Sequence, residues 1–219
     1  MRFPLADWID AHADVPHNLG QSGLKGVHTS LEETLRRPEE PDPEALTRAL
    51  AALVGVAPDR LFLTHGASEG NALVLTFLAR QLAPARGGPV RFTVPVPEYP
   101  PLPDGACWAG LVRARGTEPA DLVACSDPNN PTGLPLEADR RIALALAAAR
   151  AVLVDETFRE FTDARSRAES SDPRIWVTGT FTKVYGADRI RVGYVVAPEP
   201  AAMEFARFHG VMTDEIPWA

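Results

Sequence analysis

The sequence predicts an α/β fold, a three-layer α/β/α sandwich built around a mostly parallel sheet. Three observations predict it. Short apolar runs bounded by turn residues recur along the chain, stretches of helical periodicity separate them, and polar motifs follow the runs directly. In sheets of this kind a ligand sits at the carboxyl ends of the strands, where loops meet helix starts. The chain of 219 residues, 45% hydrophobic and 23% charged, is long enough for one substantial core, or for one core and a small appendage.

Residues 1–41 read as an irregular arm, with Gly20, Gly23 and Gly26 spaced through a polar stretch and a short helix expected at 30–37. From Asp42 the pattern turns helical: Pro43 suits a first turn, and Leu46, Leu50 and Leu53 recur at helical spacing up to Gly55. Strands are then expected at 61–64, 90–94, 122–125, 152–154, 175–178 and 193–197, and helices at 68–82, 137–150 and 200–208. Residues 42–219 are read as one large domain.

Composition excludes several functions. A net charge of -7 and a pI near 5.3, with Arg36-Arg37 and Arg140-Arg141 as isolated pairs, leave no basic stripe for nucleic acid. Cys107 and Cys125 are too few for a disulfide framework or a zinc site, and no metal-ligand spacing occurs, so reduced thiols in a cytoplasmic protein are expected. The segment from Met1 to Asp7 lacks the basic start and apolar run of a signal peptide. No segment approaches the roughly 18 apolar residues of a membrane helix.

Lys25 and Lys183 are the only lysines, and basic positions otherwise carry arginine. A lysine kept in the apolar, Thr/Gly-flanked stretch around Lys183 therefore points to amine chemistry: a desolvated ammonium can lose its proton and attack a carbonyl, whereas guanidinium stays charged. Three further polar groups follow strands. Gly66-Ala67-Ser68 opens a helix and reads either as a phosphate cradle of backbone N–H groups or as a tight turn and cap. It is not a Walker loop, which needs Gly-Lys-Ser/Thr there. Asn130, in Asp127-Pro128-Asn129-Asn130-Pro131-Thr132-Gly133, can donate to a phenolate-type oxygen. Asp155 ends an apolar strand, where a carboxylate needs a cation such as a protonated ring nitrogen or an arginine.

Taken in order, Gly-Ala-Ser, Asn-Pro-Thr-Gly, Asp155-Glu156-Thr157-Phe158 and Thr180-Phe181-Thr182-Lys183, with Arg191 eight residues on, resemble the pyridoxal-5'-phosphate (PLP) dependent, fold-type I, class I/II aminotransferases. The histidinol-phosphate aminotransferase and threonine-phosphate decarboxylase branches are especially similar, over about residues 42 to 215. The resemblance implies a PLP-dependent transferase large domain that builds its site in a homodimer. It implies that Lys183 forms the internal Schiff base and shuttles a proton, that Asp155 pairs with the pyridinium nitrogen, and that Asn130 bonds the ring's 3'-oxygen. The phosphate falls to Gly66, Ala67 and Ser68 with Thr180, Thr182 and Arg191, and the ring stacks on Tyr99. The implied activity is amino-group transfer between a small-molecule amino acid and a 2-oxo acid; a PLP lyase or decarboxylase and a non-catalytic PLP-binding scaffold are the alternatives.

Departures from the family pattern are also visible. Phe158 stands where many members carry Tyr, and Glu40-Pro41-Asp42-Pro43 replaces Tyr-Pro-Asp-Pro. The connection from Leu111 to Asp127 is short. Relatives continue into a small C-terminal domain whose arginine grips the substrate carboxylate, while this sequence ends at Ala219, with Arg189 and the arm at 18–23 as in-chain candidates for that grip.

Overall fold

The computed structural model describes residues 4–12, 14–16, 42–116, 118–136, 145–185 and 191–213. The helix expected at 30–37 and the candidate Arg189 lie outside the described residues, as does 137–144 of the helix expected at 137–150; residues 145–148 are helical.

Helix α1 (Pro4–Ala11) corrects the reading of the first segment as irregular: the described start of the chain is a short amphipathic helix. Helix α2 (Pro43–Val54) begins where the Asp42 carboxylate accepts from the Ala45 N–H at 2.8 Å, and ends at Gly55, whose positive φ of 81° turns the chain away. Strand β1 (Leu61–Thr64) leads through Gly66 into α3 (Ala67–Arg86). After β2 (Arg91–Thr93) come α4 (Pro101–Trp108) and β3 (Val112–Arg113), neither of which was expected from the sequence. Then follow β4 (Leu122–Ser126), β5 (Ala151–Asp155), β6 (Ile175–Thr180), β7 (Gly193–Val196) and α5 (Glu199–Met212).

The strands form one sheet in the order β1-β7-β6-β5-β4-β2-β3. The β3-β2-β4-β5-β6 block is parallel, and β7 runs antiparallel to both β1 and β6. Side chains alternate between the two faces. Leu122, Ala124 and Leu153 pack with α3, α4 and α5, while Val123, Cys125 and Val154 pack with α2 on the other side. The result is the three-layer α/β/α arrangement. Phe205 of α5 is fully buried against Phe62, Phe77 and Trp176, a contact whose burial contributes on the order of 2–3 kcal/mol.

Register decides what reaches the carboxyl edge. Ser126, Asp155 and Thr178 pair across β4, β5 and β6, so they stand in one row on the α3 face. Among the described residues no helix is long and apolar enough to cross a membrane, and no group of three or more His, Cys, Asp or Glu gathers closely enough to hold a metal ion.

Candidate active site

The turn between β1 and α3 supplies one wall of the site. Gly66 holds φ 88° and ψ 168°, a conformation open to glycine alone, and the Thr64 hydroxyl donates to its carbonyl at 3.0 Å. The His65 N–H donates to Glu69 Oε2 at 2.6 Å, which closes the helix start. A Cβ on Gly66 would sit 3.0 Å from Arg191 Nη2, so the guanidinium lies in space that only the missing side chain leaves. Ala67 and Ser68 present the free N–H end of α3 to the same space.

A second wall comes from the segment after β6. The Thr180 hydroxyl donates to the Val192 carbonyl at 3.0 Å, the Phe181 N–H donates to the same carbonyl at 3.1 Å, and the Thr182 N–H donates to Thr180 Oγ1 at 3.3 Å. These bonds hold the turn carrying Lys183 beside the segment carrying Arg191. The Phe181 ring lies 5.6 Å from both Tyr185 and Tyr194, which anchors the turn on the α2 face of the sheet.

The third wall joins the loops after β2 and β4. Glu98 accepts from the Tyr99 N–H at 2.8 Å, the Ser126 N–H at 2.9 Å and the Ser126 hydroxyl at 2.5 Å. Ser126 Oγ in turn accepts from the Asn130 N–H at 2.8 Å. One carboxylate therefore ties the backbone of Tyr99 to that of Asn130. Burial pushes the Glu98 carboxyl up, and its hydrogen bonds only partly offset this.

Asp155 forms the floor. It is 6% exposed, its Oδ2 accepts from Asn71 Nδ2 at 2.7 Å, and its Oδ1 accepts from the Thr157 N–H at 2.9 Å.

These walls enclose a cavity of about 200 Å³. Ala67, Ser68, Tyr99, Asn130 and Asp155, all singled out in the sequence, line it together with Thr180, Thr182, Lys183 and Arg191. Gly66 lies just behind, against Arg191. Ser126, Thr157 and Phe158 complete the lining. The Tyr99 hydroxyl is pushed up by burial first and by the Asp155 charge second, with Arg191 opposing, so the ring stays a neutral phenol.

Sequence reasoning missed Asn71 and Glu98, the residues that hold Asp155 and the two loops. An asparagine directly before the apolar run Ala72-Leu73-Val74-Leu75, one turn into α3, was the available signal for the first. For Glu98, whose partner Ser126 is 28 residues away, none was available.

Chemically the arrangement offers three different receptors around one cavity. An anion meets a helix N-terminus, the Thr182 hydroxyl and a guanidinium. A cationic ring nitrogen meets a buried carboxylate, and a carbonyl carbon meets an amine. A phosphorylated pyridine aldehyde presents all three partners. The Gly66 cradle, the buried Asp155 and the aromatic Tyr99 fit that group.

Comparison with known proteins gives three findings. The sequence profile of the family described as "Aminotransferase class I and II" matches residues 4–213. A histidinol-phosphate aminotransferase of Xylella fastidiosa is 30% identical over 187 residues, 75% of this chain and 50% of that protein. The chain spans about half the length of the curated relatives it matches. Among solved structures, a PLP-dependent aminotransferase from Streptococcus suis superposes with a TM-score of 0.71 at 20% identity, covering 96% of this chain and 66% of that one. Histidinol-phosphate aminotransferase from Sinorhizobium meliloti, in complex with pyridoxal-5'-phosphate, gives 0.65 at 23% identity, covering 87% and 58%. These two likenesses concern the fold.

Proposed function

Because the chain belongs to the class I and II aminotransferases, we propose that it uses pyridoxal 5'-phosphate to transfer an amino group from an amino acid to a 2-oxo acid, with Lys183 as the residue that carries the cofactor. The observation that carries the proposal is convergence: Asn130 follows β4, Asp155 ends β5, Lys183 follows β6 and Arg191 precedes β7, yet all four line one cavity of about 200 Å³.

When bound, the cofactor supplies a conjugated cationic ring that withdraws electrons from a breaking bond at the amino acid's α carbon. The residues of the chain do the rest. The N–H groups of Ala67 and Ser68, next to Gly66, hold the phosphate together with Thr180, Thr182 and Arg191. The Asp155 carboxylate keeps a proton on the ring nitrogen. The Asn130 amide donates to the ring oxygen, and Phe158 lines the wall with a ring that has no donor of its own. Tyr99 stacks on the cofactor ring, which also excludes water from that face. Lys183 would hold the cofactor through its amine, and the same amine would carry a proton to and from the α carbon.

The rest of the proposal follows the family resemblance. Residues 42–219 make the cofactor-binding domain, residues 1–41 an arm, and the working unit is a homodimer in the cytoplasm.

Absorbance tests the central part. Purified protein mixed with PLP should acquire a visible band that shifts from that of free PLP, and Lys183→Ala should abolish it. Amino acids should then convert the bound cofactor to its amine form, and a 2-oxo acid should restore it. Absence of any band in the wild type sinks the proposal. A band that no amino acid converts leaves cofactor binding standing and removes amino transfer.

A further inference from the structure

Asp155 is the last residue of β5, and its carboxylate does not stand alone. Asn71 reaches it from α3 with an Nδ2···Oδ2 distance of 2.7 Å, and the far end of the same amide, Oδ1, accepts from the Thr178 hydroxyl of β6 at 2.6 Å. All three are buried: Thr178 is 0%, Asn71 7% and Asp155 6% exposed. Two elements of the fold make this row possible. Thr178 and Asp155 are register partners, and Gly70 lets α3 come down onto the sheet, since a Cβ there would stand 3.1 Å from Val195 Cγ2 and 3.2 Å from Thr178 Cγ2.

The relay has a direction. Turning the Asn71 amide over would set its oxygen 2.7 Å from a carboxylate oxygen, two acceptors without a proton between them. The acceptor-only carboxylate selects the orientation in which the N–H faces Asp155, and the Thr178 hydroxyl, donating to Asn71 Oδ1, holds the far end of the amide in place. With the Thr157 N–H on Oδ1 at 2.9 Å, each carboxylate oxygen has one fixed donor from the protein. The remaining lone pairs are left for the cavity that Asp155 lines.

We propose that Asn71, held at its far end by Thr178, is a positioning residue of this site: it aims the Asp155 carboxylate at the cofactor ring. The inference rests on the reading of Asp155 as the partner of the cofactor's ring nitrogen. Hydrogen bonds to charged groups are among the stronger ones in proteins, so removing this one should be felt where the carboxylate acts.

The test compares two cofactors on the full chain. One is PLP; the other is its analogue with carbon in place of the ring nitrogen, which offers Asp155 no proton to hold. Affinities are read by fluorescence titration for wild type, Asn71→Leu and Thr178→Val. Circular dichroism melts report whether each variant folds. Asn71→Leu should weaken PLP binding by about tenfold or more and leave the affinity for the carbon analogue within about twofold, because the lost hydrogen bond matters only through the ring nitrogen. Thr178→Val, which leaves the far end of the amide without its donor, should show the same discrimination to a smaller degree, and it stands in if the leucine variant does not fold. Equal losses for both cofactors, or none for either, overturn the positioning role and leave the proposed function intact. If wild type binds PLP and the carbon analogue equally, and Asp155→Asn changes neither, the assignment of Asp155 falls and this inference with it.

Discussion

Gly193 shows how little room the site has at the level of single atoms. A Cβ on it would lie 2.5 Å from the Gly66 carbonyl carbon, 2.6 Å from Gly66 Cα and 2.8 Å from the Ala67 nitrogen, all backbone, so nothing nearby can swing aside. Gly193→Ala should therefore push the turn of the proposed phosphate cradle out of place. We expect a destabilisation of roughly 1–3 kcal/mol in urea unfolding and weaker PLP binding; an alanine variant with wild-type stability and affinity would refute the contact. Glu156 gives a second test at this scale. Burial raises its carboxyl from 4.5 to about 7, although the Arg167 N–H, the Ser166 hydroxyl and the Arg159 charge pull it back. The unfolded chain releases this proton near 4.5, so between that pH and about 7 the folded state binds more protons and stability falls as pH rises. The contribution is up to roughly 3 kcal/mol. Glu156→Gln should flatten the decline between pH 5 and pH 8, and an unchanged slope would assign it to other groups.

At the scale of elements, the loops after β2 and β4 act as one unit because Glu98 joins them. Glu98→Ala removes the acceptor of the Tyr99 N–H and of both Ser126 donors. PLP affinity should drop by about tenfold while the thermal midpoint changes modestly, since Glu98 and the residues it ties, Tyr99 and Ser126, belong to neither hydrophobic core; a large fall in the midpoint with affinity kept would contradict this. The same scale explains what the sequence could disclose. β4 and β5 are buried at every position, so their apolar runs were legible. Helix α4 was not, because Pro101-Leu102-Pro103-Asp104-Gly105 carries turn residues, although Pro at a helix start and Asp in the first turn fit its geometry. β3 has two exposed residues and pairs only through its backbone. The reach of β6 to Thr180 passes through Gly179, where a side chain would run into the Tyr194 ring. Lining residues that directly follow strands were visible as motifs. Asn71 was not, because its partner Asp155 lies 84 residues away and only the packing of α3 on the sheet brings them together.

For the molecule as a whole, a cofactor that binds only the folded chain must stabilise it. PLP at 100 times its dissociation constant adds about 2.7 kcal/mol, and for a chain of this size the thermal midpoint should climb by roughly 5–10 °C. A midpoint independent of PLP concentration would show that the folded cavity does not take the group. The order of the sheet carries a different consequence. β7 sits between β1 and β6, so Leu61 and Val196, from opposite ends of the sheet-forming sequence, are neighbours, and among the described residues β1 pairs with no other strand. On the ribosome β1 emerges early and has nothing to pair with until Gly193–Val196 leaves the exit tunnel and slides into the gap. Its arrival brings the Gly66 turn against the segment just before β7, so the cradle and its arginine meet only in the final stage of the sheet's synthesis. A nascent chain stalled before that strand should expose β1 to proteases and bind no PLP; a chain extended past β7 and released should gain protection and binding in one step.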